Sequence, residues 1–148
     1  MEDITTEEIV TQKKNLVSYY EIEGAPITLR RPRFGLGRVY DSQKKEKSKV
    51  QWELKSQHDY PLPFEGPLQL DVTFFMYIPN GLSKKIGGGE GGVPHYIRPD
   101  IDNLLKWILD CSNKILYNDD AQVTTVIARK IYSKLPRTEF SITRLEIL

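Results

Sequence analysis

The amino-acid sequence predicts an α+β fold: a single domain built on a mixed β-sheet with helices packed on one face. Three observations predict it. Strand-like and helix-like segments follow one another as β–α–β–loop–α–β–β, an order in which helices gather on one side of a sheet. The strand-like runs are rich in β-branched and aromatic residues and are bounded by proline, glycine and polar turns. The chain has 148 residues, 39% of them hydrophobic, enough for one real core.

At the N-terminus, Thr5 and Glu8 make a capping box, and Ile4 with Ile9 can staple it. Residues 1–16 are set apart on this basis as an acidic N-terminal extension or short helix, and residues 17–148 as the folded domain. Val17 to Ile22 reads as a strand stopped by Gly24 and Pro26, and Asp41 to Gln57 reads as a helix. Leu68 to Ile78, between Pro67 and Pro79, reads as a strongly aromatic strand. Asn80 to Tyr96 is a long loop centred on Gly87-Gly88-Gly89-Glu90-Gly91-Gly92. It reads either as a mobile flap carrying Lys84 and Lys85 toward a ligand or as simple disorder. No Gly-Lys-Ser/Thr follows these glycines, so no nucleotide cofactor is expected.

The next helix is written by Ile101, Leu104, Leu105, Ile108, Cys111, Ser112 and Ile115, which recur at three- and four-residue spacing. Lys106, Asp110, Asn113 and Lys114 lie off that stripe. Tyr117-Asn118-Asp119-Asp120 is a turn, followed by strands from Gln122 to Lys134 and from Arg137 to Ile147. A sheet face left uncovered by these helices favours dimerisation.

The chemistry concentrates in Arg98-Pro99-Asp100-Ile101-Asp102-Asn103-Leu104-Leu105-Lys106, followed by Asn118-Asp119-Asp120. Carboxylates gathered this closely repel one another unless a proton or cation lies between them. They read as an oxygen-ligand site for Mg²⁺, a hard cation that takes few carboxylates and keeps waters and phosphate oxygens. Pro99 biases the chain before it toward extended backbone, and an extended Asp100 points its side chain the same way as Asp102. The pair is expected at the helix junction, with Asp102 near the N-cap and the positive end of the helix dipole facing the carboxylates. Lys106 follows Asp102 by four residues and reaches the same end. The later turn is expected to return Asp119 or Asp120 beside the helix N-terminus. Singly, these features are caps, surface pairs and turns. Together they point to phosphodiester hydrolysis by an activated water, with Lys106 stabilising developing charge. One metal or two would use the same carboxylates.

Arg98 to Val123, RPDIDNLLKWILDCSNKILYNDDAQV, resembles the RusA family of Holliday-junction resolvases, whose signature is D-x-D-N-L-x-K at a helix start and D-D-[AS]-Q-[VI] about twenty residues on. Arg31-Pro32-Arg33-Phe34 and Gly37-Arg38-Val39-Tyr40 with the lysines after them resemble its phage-type members. The resemblance covers roughly Val17 to the C-terminus. It implies a RusA-like, homodimeric endonuclease that uses Mg²⁺, with Mn²⁺ as a possible substitute, to nick four-way DNA junctions in recombination and repair. It places catalytic carboxylates at Asp100, Asp102 and Asp120 and the catalytic lysine at Lys106. Asp119 is a secondary metal ligand by the same resemblance. A dimer suits the reaction, because paired symmetric nicks need two sites related by a two-fold axis.

The net charge of +1 is unevenly spread. Residues 1–25 carry −4, whereas 30–55 carry nine basic residues against three acids. That local field attracts phosphates without reading sequence, and Arg31, Arg33, Arg38, Lys44 and Lys45 are the expected DNA contacts, with Lys84 and Lys85 in the loop. A lone cysteine, no signal-peptide pattern and no membrane-length apolar run fit a cytoplasmic protein. Cys111 falls on the apolar helix face and reads as a buried structural thiol. His58 and His95 have no metal-ligand spacing between them, though His95 lies close before the acidic motif. Two rivals stand beside the resolvase: a metal-dependent nuclease for other branched DNA, and a non-catalytic, structure-selective DNA-binding protein.

Overall fold

The computed structural model describes residues 5–6, 16–83, 85 and 92–146. The N-terminal capping box beyond Thr5, Lys84 and most of the glycine run lie outside the described residues. The elements are β1 (Val17–Glu23), β2 (Arg33–Gly35), β3 (Arg38–Tyr40), α1 (Lys44–Gln57), β4 (Leu68–Tyr77), α2 (Asn80–Ser83), α3 (Ile101–Ser112), a 3-10 turn at Asp120–Gln122, β5 (Val123–Ser133) and β6 (Arg137–Arg144). Four strands form a mixed sheet in the order β1-β6-β4-β5. β6 is antiparallel to both β1 and β4, and β4 is parallel to β5. A parallel pair needs a crossover, and α3 supplies it.

The core lies between the sheet and the two long helices. β4 alternates with a period of two, so Leu68, Leu70, Val72, Phe74 and Met76 are buried. They pack with Val50 and Leu54 of α1 and with Leu104, Trp107, Ile108 and Cys111 of α3. The buried stripe of α3 is rotated from the expected one. Trp107 is buried, Leu105 is half-buried and Ile101 is exposed, because seating the large indole beside Ile108 turns the buried face toward it. α3 also ends at Ser112, before Ile115: Asn113 is extended and Lys114 takes a left-handed φ of 68°. Cys111 is fully buried, and burial pushes its thiol up to about 12, as a structural thiol requires.

α1 starts at Lys44, three residues later than the sequence suggested, since Asp41 is spent on the turn before it and accepts from the Gln43 N–H at 2.9 Å. The β2–β3 hairpin escaped the sequence reading because three-residue strands carry no periodicity. Among the described residues it pairs only with itself, and its register leaves Leu36-Gly37 as a two-residue loop with φ of 52° and 75°. Positive φ at both positions defines a type I′ turn, where asparagine or glycine is favoured. Leucine there costs about 1–2 kcal/mol.

The sheet face away from the helices mixes charged side chains with aromatic ones, exposed Tyr19 and Tyr77 among them. Arg129 bridges Asp71 at 2.8 Å and Thr73 at 2.9 Å, and Arg137 lies 3.7 Å over the Phe75 ring while bonding Glu139. The edge strand β5 also turns side chains outward, and there Thr124, Thr125, Val126 and Ile127 face solvent. Among the described residues, the outer edge of β5 is covered only toward its end. There Pro94 bridges Ile131, the His95 N–H donates to the Lys130 carbonyl and the Tyr132 N–H donates to the Val93 carbonyl. No described helix is long and apolar enough to cross a membrane.

Candidate active site

Asp100 is the N-cap of α3, with extended backbone at φ −70° and ψ 141°, and Asp102 lies in the first helical turn. The junction is as expected but shifted: Asp100, not Asp102, is the capping position. Its side chain nevertheless makes no capping hydrogen bond, so the carboxylate is not consumed by the helix end. Both aspartates are exposed, and Lys106 Nζ lies 3.7 Å from the Asp102 carboxylate. At about 60% exposure for both side chains, this pair adds little stability.

Two groups outside the motif hold this helix end. Lys130 Nζ on β5 donates to the carbonyls of Ile97 at 2.8 Å and Pro99 at 2.7 Å, fixing the strap immediately before Asp100. The Leu29 N–H donates to the Asn103 carbonyl at 3.1 Å, joining the base of the basic hairpin to the first turn of α3. No motif signalled Lys130, because its partners are backbone carbonyls that only the tertiary structure brings near. His95 is buried against Tyr132, with ring centroids 4.8 Å apart. Burial and then nearby Lys130 lower its pKa, so it packs as a neutral ring beneath the strap.

The second acidic group is built by Gln122. Its Oε1 accepts from the N–H groups of Asn118 and Asp119 at 2.9 and 3.0 Å, and its Nε2 donates to the carbonyls of Phe64 and Gly66, both at 3.0 Å. Asp119 completes the capping box by accepting from the Ala121 N–H at 2.9 Å, and that bond holds its carboxyl below the usual carboxylate value. Asp120 is left without a turn to cap. Burial first, then Asp119 and Asp110, raises its pKa above the usual value. Asp119 thus caps the turn, and the neighbouring Asp119 and Asp120 carboxyls share a hydrogen bond. Replacing Gln122 with alanine orphans two donors and two acceptors. It is expected to cost about 1–3 kcal/mol, read as a lower midpoint in urea unfolding. An unchanged midpoint would show that other contacts hold the turn.

The turn does not return to the helix N-terminus. Asp120 lies near Asp110, and Tyr117 donates to the Leu109 carbonyl at 2.7 Å; both partners belong to the far end of α3. From Asp100 to Asp110 the helix rises about 15 Å, at roughly 1.5 Å per residue. The physical reason is direction. β5 begins at the turn and reaches the strap at Lys130, so it runs back along α3 rather than starting at its head. Accordingly, among the described residues no three His, Cys, Asp or Glu side chains are grouped to hold a metal ion. Mg²⁺ asks for less than such a cage, since it keeps several waters and is held by one or two carboxylates. An all-oxygen pair with no capping duty at Asp100 fits that mode.

Of the expected DNA contacts, Arg31, Arg33, Arg38, Lys44, Lys45 and Lys85 are exposed. Arg33 and Arg38 stand on the hairpin, and Lys44 and Lys45 open α1. Lys47 is engaged elsewhere, pairing with Asp110 at 2.6 Å and Asp41 at 3.2 Å. Gln43, buried at 2% exposure, ties the hairpin base to α1: it accepts from the Arg30 N–H and donates to the Thr28 carbonyl, both at 2.7 Å.

Residues 23–143 match the family model described as endodeoxyribonuclease RusA. The uncharacterised protein YqaN of Bacillus subtilis (strain 168) is 32% identical over 132 residues, covering 83% of this chain and 93% of its own. The crossover junction endodeoxyribonuclease RusA of Lactococcus phage r1t is 35% identical over 80 residues, 53% of this chain and 56% of its own. With the family model spanning most of the chain, this protein belongs to the RusA family of endodeoxyribonucleases.

Proposed function

We propose that this chain is a Mg²⁺-dependent endonuclease that resolves four-way DNA junctions by paired nicks, acting as a homodimer. DNA cleavage in general comes with the family. The observation that carries the finer reading is the helix end at Asp100 and Asp102: two exposed carboxylates, one free of capping, with Lys106 beside them and a basic hairpin bonded to the same turn through Leu29 and Asn103. Phosphates drawn to the arginines thereby meet the acidic pair. Bound Mg²⁺ supplies a lowered water pKa and neutralises charge on the scissile phosphate. Asp100 and Asp102 hold it, and Lys106 adds positive charge where the phosphate becomes more negative.

The separation of Asp120 from this pair supports a dimer with composite sites. β5 begins beside Asp120 and ends beside the strap of Asp100. Two β5 edges paired antiparallel over Thr124–Ile127 about a two-fold axis carry the start of one strand toward the strap that covers the end of the other, which brings the partner's Asp120 toward the Asp100–Asp102 pair. The exposed run Thr124–Ile127 is the edge available for this pairing, and edge strands with apolar residues are prone to it.

The test is incubation of the purified protein with a labelled mobile four-way junction, with Mg²⁺, Mn²⁺ or EDTA, beside linear duplex. Symmetric paired nicks in the junction alone, abolished by EDTA, are expected. Binding without cleavage in either metal would leave a structure-selective binding protein, and equal cutting of flaps would leave a general branched-DNA nuclease.

A further inference from the structure

The β2–β3 hairpin has two chemically different faces, and the core uses neither. Its register pairs Phe34 with Val39 on one face and sets Arg33, Arg38 and Tyr40 on the other. Phe34 is 76% exposed, Val39 67%, and Leu36 at the tip fully exposed. Apolar side chains this exposed bury little surface and so add little to folding. Leu36 moreover holds a left-handed φ of 52° that asparagine or glycine would take with less strain. An outlier kept at such a place points to use rather than to stability. Tyr40 turns the edge of its ring toward Gly35, where a Cβ would come to 3.0 Å from Cε1, and it adds an aromatic side chain among the arginines.

Resting on the nuclease function proposed for the acidic helix end, we infer that this hairpin is a branch-point wedge: Leu36 and Phe34 enter between bases that a DNA junction leaves unstacked. Apolar wedges open base steps, and aromatic rings stack on bases irrespective of sequence. Arg31, Arg33 and Arg38 fit the phosphates on either side of such a gap, which favours DNA over an apolar protein partner. The hairpin base is bonded to α1 through Gln43 and to the first turn of α3 through Leu29 and Asn103. The hairpin is thus rooted on the same side as Asp100 and Asp102, so that seating it at a branch brings phosphates toward the carboxylates.

The test uses the full chain, in EDTA so that nothing is cut, and a four-way junction carrying 2-aminopurine at the branch. Wild type is expected to raise the fluorescence by unstacking the base. Leu36→Gly with Phe34→Ala is expected to abolish the rise and weaken junction binding about five- to 150-fold, the loss of one stacked base. Duplex affinity and salt dependence should stay as in wild type, because the arginines are untouched, and the melting temperature should not fall, since glycine takes the positive φ of Leu36 without strain. A rise that survives the double substitution overturns the wedge. So does its absence in wild type that still nicks junctions with Mg²⁺, and that result leaves the nuclease standing. Loss of self-association in sedimentation with unchanged fluorescence also overturns it and makes the hairpin a protein contact. A wedge signal in a protein that never cuts supports the wedge and sinks the nuclease.

Discussion

Asp102→Asn is expected to abolish junction nicking while junction binding persists. The substitution keeps the side chain's size and removes the negative charge that the cation needs. Asp102 is exposed and its ion pair with Lys106 is long at 3.7 Å, so the fold loses little, within about 0.5 kcal/mol. The chemical step loses the electrostatic stabilisation of an activated water, a fall of about 10³-fold or more. The pairing of those two results matters. A cap or a surface pair predicts a small stability change and no change in activity; a metal ligand predicts an equally small stability change with cleavage lost. Gel-shift binding in EDTA beside single-turnover cleavage in Mg²⁺ reads both quantities from one preparation. Retained cleavage in Asp102→Asn would remove the acidic helix end from the mechanism.

The second large effect is restoration of activity by mixing two dead proteins. If each site joins Asp100 and Asp102 of one protomer to Asp120 of the other, then Asp102→Asn and Asp120→Asn are each inactive alone. In a mixed dimer, one site collects both substitutions and the other collects neither. Random exchange of protomers gives mixed dimers in about half the population, so about a quarter of all sites should recover. The product should be single nicks rather than paired ones. If each chain instead carries a whole site, every site in the mixture lacks one carboxylate and nothing is restored. The experiment therefore separates the composite site from the rest of the function.

Much of the fold was legible in the chain. The strands β1, β4, β5 and β6 and the helices α1 and α3 fall where alternation, apolar spacing and the prolines put them, because those patterns report which face must be buried. The hairpin was not legible, being too short to show a period. The burial of Trp107 in place of Ile101 was missed because a helix's apolar residues span a wide arc, and the sheet decides which part of it is covered. In the acidic site, the residue types and their local roles could be read. What Asp119 does could not: its bond to the Ala121 N–H, and the anchoring of its turn by Gln122 across to Phe64 and Gly66, depend on residues brought in from far along the chain.

By itself, the sequence determined the local chemistry of this protein: two aspartates and a lysine at one helix end, two more aspartates in a turn, and a basic stretch with apolar residues among the arginines. Such features follow from residue type and short spacing, since backbone geometry over a few residues is nearly fixed. Only the tertiary structure decided which of them meet. The direction of β5 along α3 carries Asp120 to the far end of the helix from Asp100, while Leu29 brings the hairpin to the near end. Distances of that kind are set by how a strand packs against a helix and in which direction it runs, which no short stretch of residues encodes.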